Sequence, residues 1–84
     1  MNNLDILKKK IIYHSNHRGM KEMDLLLSNF VKKYIDSFNE TELKELESLL
    51  NVDDAILYKW YLNHDTKTLV PVNNITKKLK KFKL

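Results

Sequence analysis

One glycine and one proline are all that punctuate the 84 residues of this chain. That scarcity constrains the fold more than any motif, because a sheet protein needs turn residues at every hairpin. An all-β fold is excluded. The absence of cysteine also removes disulfides, thiolate nucleophiles, zinc–thiolate sites and iron–sulfur clusters. The length allows one domain with one core. A chain this short buries only about 60% of its unfolded surface, which leaves little room for a deep catalytic cavity beside the core. The expectation is an all-α protein, a compact antiparallel bundle of about five short helices.

Apolar spacing places those helices. Leu4, Leu7 and Ile11 mark a first helix from about Asn3 to His14, capped by Asn2 or Asn3. A second, from about Met20 to Phe38, carries Met23, Leu27, Phe30, Val31, Tyr34 and Phe38 on one stripe. Asn39 followed by Glu42 reads as a capping box that opens a third helix, ending near Leu50. Asp53 is a good N-cap for a fourth helix over Asp54–Asn63, with Ile56, Leu57, Trp60 and Tyr61 on its apolar side. His64–Asn73 reads as the longest loop, where Pro71 disfavours helix, and Asn74 is expected to cap a last short helix bearing Ile75, Leu79 and Phe82. Leu27, Phe30, Val31, Tyr34, Leu46, Leu50, Leu57 and Trp60 are the expected core, whereas Tyr58 falls off that face.

The net charge of +4 is unevenly placed. Asn74 to Leu84 holds five lysines and no acid, and without it ten cations face eleven anions. The reading therefore divides a near-neutral helical domain at 1–73 from a lysine-rich terminal helix or tail at 74–84. Removing the tail is expected to leave the fold intact. No run of 18 apolar residues exists to span a membrane, and the N-terminus lacks the pattern of a signal peptide.

The chemistry is concentrated in YHSNHRGMKEMD, Tyr13 to Asp24, where the only arginine stands beside the only glycine. A guanidinium is a planar fork of donors that binds carboxylate or phosphate in a way the fourteen lysines do not. Gly19 offers a positive φ or a close backbone approach, and Glu22 suits the first turn of a helix. The plain alternative keeps Gly19 as a helix terminator and Arg18 as a solvated charge.

The stretch HRGMKEMDLLL closely resembles the signature of the flavinator family, assembly factors of succinate dehydrogenase. Its Arg-Gly-x-x-Glu motif falls on Arg18, Gly19 and Glu22, and its following acidic residue and leucine run on Asp24 and Leu25 to Leu27. Leu49-Leu50, Asp53-Asp54 and Leu57-Tyr58-x-Trp60 resemble the family's second block. Ser28, His14 and Ile56 depart from it, where glycine, arginine and an acid are common. The resemblance implies an assembly factor, not an enzyme, that binds the flavoprotein subunit of succinate dehydrogenase and promotes its covalent FAD attachment. Fumarate reductase is a further client in that reading. It implies partner-binding by Arg18, Gly19, Glu22, His17, Asp24 and His14, with FAD attached to the client and not held stably by this chain. It also implies residence in a bacterial-type cytoplasm or the mitochondrial matrix, with no nucleic acid bound and no membrane insertion.

The same residues admit other readings. His14 and His17 are spaced to share a helix face, yet no carboxylate pattern surrounds them as a metal site requires. Asp53 and Asp54 read as a cap and a first-turn dipole partner at a wet corner, not as a catalytic dyad. The lysine-rich tail supports an alternative: a small basic nucleic-acid-binding or regulatory protein, or an adaptor on an anionic membrane.

Overall fold

A computed structural model describes residues 3–62 and 70–83. It is all-α. The elements are α1 (Asn3–Asn16), α2 (Lys21–Tyr34), a 3-10 turn (Ile35–Ser37), α3 (Glu40–Leu50), α4 (Asp54–Tyr61) and α5 (Asn74–Lys81). α1 lies against α2 and α3, α4 against α2, and α5 against α3.

The helix ends follow from local hydrogen bonds. Ser15 and Asn16 return their side chains to the Ile12 carbonyl at 2.9 Å, so α1 runs two residues past the expected His14. α2 stops at Tyr34 instead of continuing to Phe38. A 3-10 turn follows it, and Phe38 is already extended at φ −85°, ψ 138°. The expected capping box opens α3: the Asn39 side chain accepts from Glu42 N at 2.8 Å, and Glu42 Oε1 accepts from Asn39 N at 3.0 Å. Asp53 caps α4 by accepting from Ala55 N at 3.1 Å. The cap of α5 is Asn73, not Asn74, because Thr76 completes a reciprocal pair with Asn73. α4 ends at Tyr61; Asn63 and the loop as far as Leu69 lie outside the described residues.

Met23, Leu27, Phe30, Leu43, Leu46, Leu49, Leu57, Ile75 and Leu79 are completely buried. Six of the eight expected core residues are buried, while Tyr34 and Trp60 pack against the core from its edge. Tyr58, expected off the core face, also packs against it. The edge aromatics are roofed by lysines. Lys78 Nζ stands 4.5 Å from the Tyr34 ring, and Lys80 Nζ stands 4.4 Å from the Trp60 ring while donating to the Trp60 carbonyl. Desolvation there lowers the Lys80 pKa below the ordinary lysine value.

The terminal segment is more than a tail. Ile75 and Leu79 are fully buried, and the Tyr61 hydroxyl donates to the Phe82 carbonyl. Lys77, Lys78 and Lys81 of α5 face outward because its apolar stripe fills the core, while Lys80 is half-buried over Trp60. This packing replaces the expectation that 74–84 is dispensable to the fold. Leu79→Ala is expected to lower stability by about 2–5 kcal/mol, read as a shifted urea midpoint. Deletion of 74–84 should leave a chain without a cooperative unfolding transition, and a deletion variant melting like the parent would contradict this packing.

Candidate functional site at the α1–α2 corner

The chain leaves α1 at Asn16 and enters α2 at Lys21, and the four residues between them form a corner. The Arg18 side chain turns inward there. It is 9% exposed and its Asp54 partner 15%. Nε donates to Asp54 Oδ1 at 2.7 Å, and Nη2 lies 2.5 Å from the same oxygen. Nη1 donates to the Leu50 carbonyl at 2.6 Å, and Nη2 to the Val52 carbonyl at 3.0 Å. Asp54 Oδ2 accepts from the Met20 backbone N–H at 3.0 Å, just ahead of α2.

Two of these bonds, to the Leu50 carbonyl and from the Met20 N–H, satisfy groups that helix ends leave open. The last carbonyls of α3 have no intrahelical partner, and the guanidinium takes that of Leu50. A cation at the C-terminus of α3 and a carboxylate in the first turn of α4 both suit the local helix dipoles. One arginine and one aspartate thereby fasten the corner, the end of α3 and the start of α4. The expectation of a solvated or partner-facing Arg18 is revised: its fork is filled from within the chain. The wet corner expected at Asp53 and Asp54 is likewise revised. Asp53 is the exposed cap, whereas Asp54 is an ion-pair partner.

Gly19 needs neither of the reasons offered for it. A Cβ built on it meets nothing within 4 Å, and its φ lies outside the left-handed region. Nothing among the described residues requires a glycine here. Glu22 is exposed on the first turn of α2 and has no ion-pair or hydrogen-bond partner among the described residues. His17 is exposed and stacks on Tyr13, with ring centroids 4.0 Å apart; its Nδ1–H donates to the Tyr13 carbonyl at 2.8 Å.

The structure brings together His17, Arg18 and Gly19, which line an open groove of about 460 Å³ with Met20, Val52, Asp53, Asp54 and Ala55. It does not bring His14 there. His14 lines a smaller pocket of about 200 Å³ between α1 and α3, beside Lys10 and Glu47. Asp24 is half-buried on α2, with its backbone N–H on the Met20 carbonyl at 2.9 Å. The residue that sequence reasoning missed is Asp54. Its signal was the paired acid: Asp53 already supplies the cap, which leaves Asp54 for another partner. Among the described residues no three His, Asp or Glu side chains converge as metal ligands.

Residues 9–83 match the family model described as flavinator of succinate dehydrogenase. The chain belongs to this family. Among its relatives, succinate dehydrogenase assembly factor 2, mitochondrial, of Scheffersomyces stipitis is 41% identical over 68 residues, covering 81% of this chain and 46% of that protein. The Saccharomyces cerevisiae protein of the same name is 49% identical over 57 residues, 68% of this chain and 35% of that protein. Assembly factor 2-B of Drosophila ananassae is 44% identical over 59 residues, covering 68% and 36%. The chain thus spans less than half the length of these curated relatives. None of its helices among the described residues is long and apolar enough to cross a membrane.

The buried clamp makes a stability prediction for this chain. Arg18→Ala should cost about 3–5 kcal/mol, because it strands the Asp54 charge and the Leu50 carbonyl. Arg18→Lys should recover only part of that loss, since one ammonium does not reach all three acceptors. Gly19→Ala should stay within about 0.5 kcal/mol of the parent. Chemical denaturation of the three variants is the check, and an Arg18→Ala protein as stable as the parent would remove the clamp from this account.

Proposed function

We propose that this chain binds the flavoprotein subunit of succinate dehydrogenase and promotes covalent attachment of FAD to it, without performing catalysis through its own side chains. The family match over residues 9–83 carries this reading. The corner supports it physically. Gly19 is bare in open space and Glu22 presents an unpaired carboxylate, on a backbone that the Arg18 clamp holds in one shape. A side chain left off for no internal reason suits close docking of another molecule.

In this reading the motif divides its labour. Gly19, Glu22 and His17 face the flavoprotein subunit, with Asp24 and His14 as flanking contacts, and Arg18 acts on the partner through the corner it fastens. The chemistry of flavin attachment belongs to the client. Covalent bonding becomes fast when the flavin and its acceptor side chain are held in reactive geometry. A helical wedge achieves this by binding that conformation in preference to others. FAD is then carried by the client and not stored by this chain. The chain works where the flavoprotein subunit is assembled, a bacterial cytoplasm or a mitochondrial matrix. A fumarate reductase flavoprotein is a further client of the same kind.

The test is in-gel flavin fluorescence of the denatured flavoprotein subunit, co-expressed with each variant or with none. Glu22→Ala and Gly19→Leu should fold like the parent, since both sites are exposed, and should lower covalent flavin at least about tenfold. Arg18→Ala should lower it together with stability. Undiminished flavin with both Glu22→Ala and Gly19→Leu would remove the corner as the docking site, and undiminished flavin without the chain would remove the function.

A further inference from the structure

At the other end of α2 lies a second surface of different character. An open groove of about 530 Å³ is lined by Asn29, Lys32, Lys33, Phe82 and Lys83, with no acidic residue in its wall. Its floor is Phe82, extended at φ −74°, ψ 131°, with its ring edge-on to Phe30 and Tyr34. Lys33 Nζ stands 5.4 Å from the Tyr34 ring and 5.9 Å from that of Phe82, and Lys78 approaches Tyr34 at 4.5 Å. Among the described residues none of Lys32, Lys33, Lys78 or Lys83 has a carboxylate partner, whereas Lys8, Lys10 and Lys44 each have one. Cations held this close without counter-charges repel one another and favour an anionic occupant.

The groove narrows the kind of anion. Single-stranded nucleic acid is gripped by bases stacking on open aromatic faces, and here lysines stand over the rings. A bilayer is a broad surface and favours basic helices whose other face exposes large apolar residues, but the apolar stripe of α5 is buried in the core. An open groove that gathers lysines from α2 and from the segment after α5 fits an extended chain bearing several carboxylates. We propose that this groove docks an acidic polypeptide segment. On the family reading above, that segment belongs to the flavoprotein subunit. The groove begins at Asn29, seven residues beyond Glu22 on the same helix and therefore roughly 10 Å away. The client would thus be held at both ends of α2, sterically at the corner and electrostatically at the groove.

The probe is a fluorescent peptide of about ten glutamates, titrated with the full chain; a single-stranded oligonucleotide and phosphatidylserine-containing vesicles serve as competitors. The parent should bind the peptide, and affinity should fall at least about tenfold between about 50 and 200 mM salt. Lys32→Glu with Lys83→Glu should weaken the peptide at least about tenfold, while Glu22→Ala leaves it unchanged. Both lysines are exposed, so the double variant should keep the parent's melting behaviour. Peptide binding unaffected by the double variant would overturn the proposal, as would tighter binding of the oligonucleotide or the vesicles. The double variant should also slow association of the purified flavoprotein subunit, and an unchanged rate would overturn the assignment of the segment to that client. Failure of the parent to bind the subunit at all would instead overturn the family reading, and the peptide result would still decide the groove.

Discussion

The guanidinium of Arg18 is the interaction on which the rest of this small fold depends. It is nearly buried, and a buried charge destabilises unless its partners replace the water it gave up. Here they do. Asp54 and the carbonyls of Leu50 and Val52 surround it, and Asp54 passes its second oxygen to the Met20 N–H. The bonds link residues 32 to 36 positions apart, so the clamp closes the longest-range contacts of the α1–α2 corner. Leu50 and Leu57, which flank the α3–α4 junction in sequence, are buried in the core.

That arrangement explains how one short motif serves both the fold and a surface. A corner of four residues between two helices has little shape of its own. Fixed from below by Arg18, it presents Gly19 and Glu22 at constant positions, which is how a few exposed groups become specific. α2 then carries that geometry to its far end, where Lys32 and Lys33 meet Phe82 and Lys83. The terminal helix contributes in two ways: Ile75 and Leu79 complete the core, and its lysines gather charge on the outside.

Much of the fold was legible in the sequence because its signals are local. The stripe of α2, the Asn39–Glu42 box and the Asp53 cap all lie within one or two turns of what they determine. The misplaced boundaries have local rivals: Asn73 and Asn74 both cap well, and Thr76 decided between them. The fate of Arg18 was not legible, since its partners sit far along the chain and nothing adjacent announces them. The lysine-rich end misled for a related reason. Charge dominates its composition, whereas Ile75 and Leu79, one turn apart among the lysines, decide its packing. In the candidate site, the residue types were readable and their orientations were not.

The central claim is that a corner shaped from within by Arg18 meets its partner through Gly19 and Glu22. Hydrogen–deuterium exchange of the full chain, free and bound to the purified flavoprotein subunit, tests it most directly. The account predicts slowed exchange over residues 17–25 on binding, with the exposed side of α3 unchanged. A complex that forms while the amides of residues 17–25 exchange as they do in the free chain would contradict it.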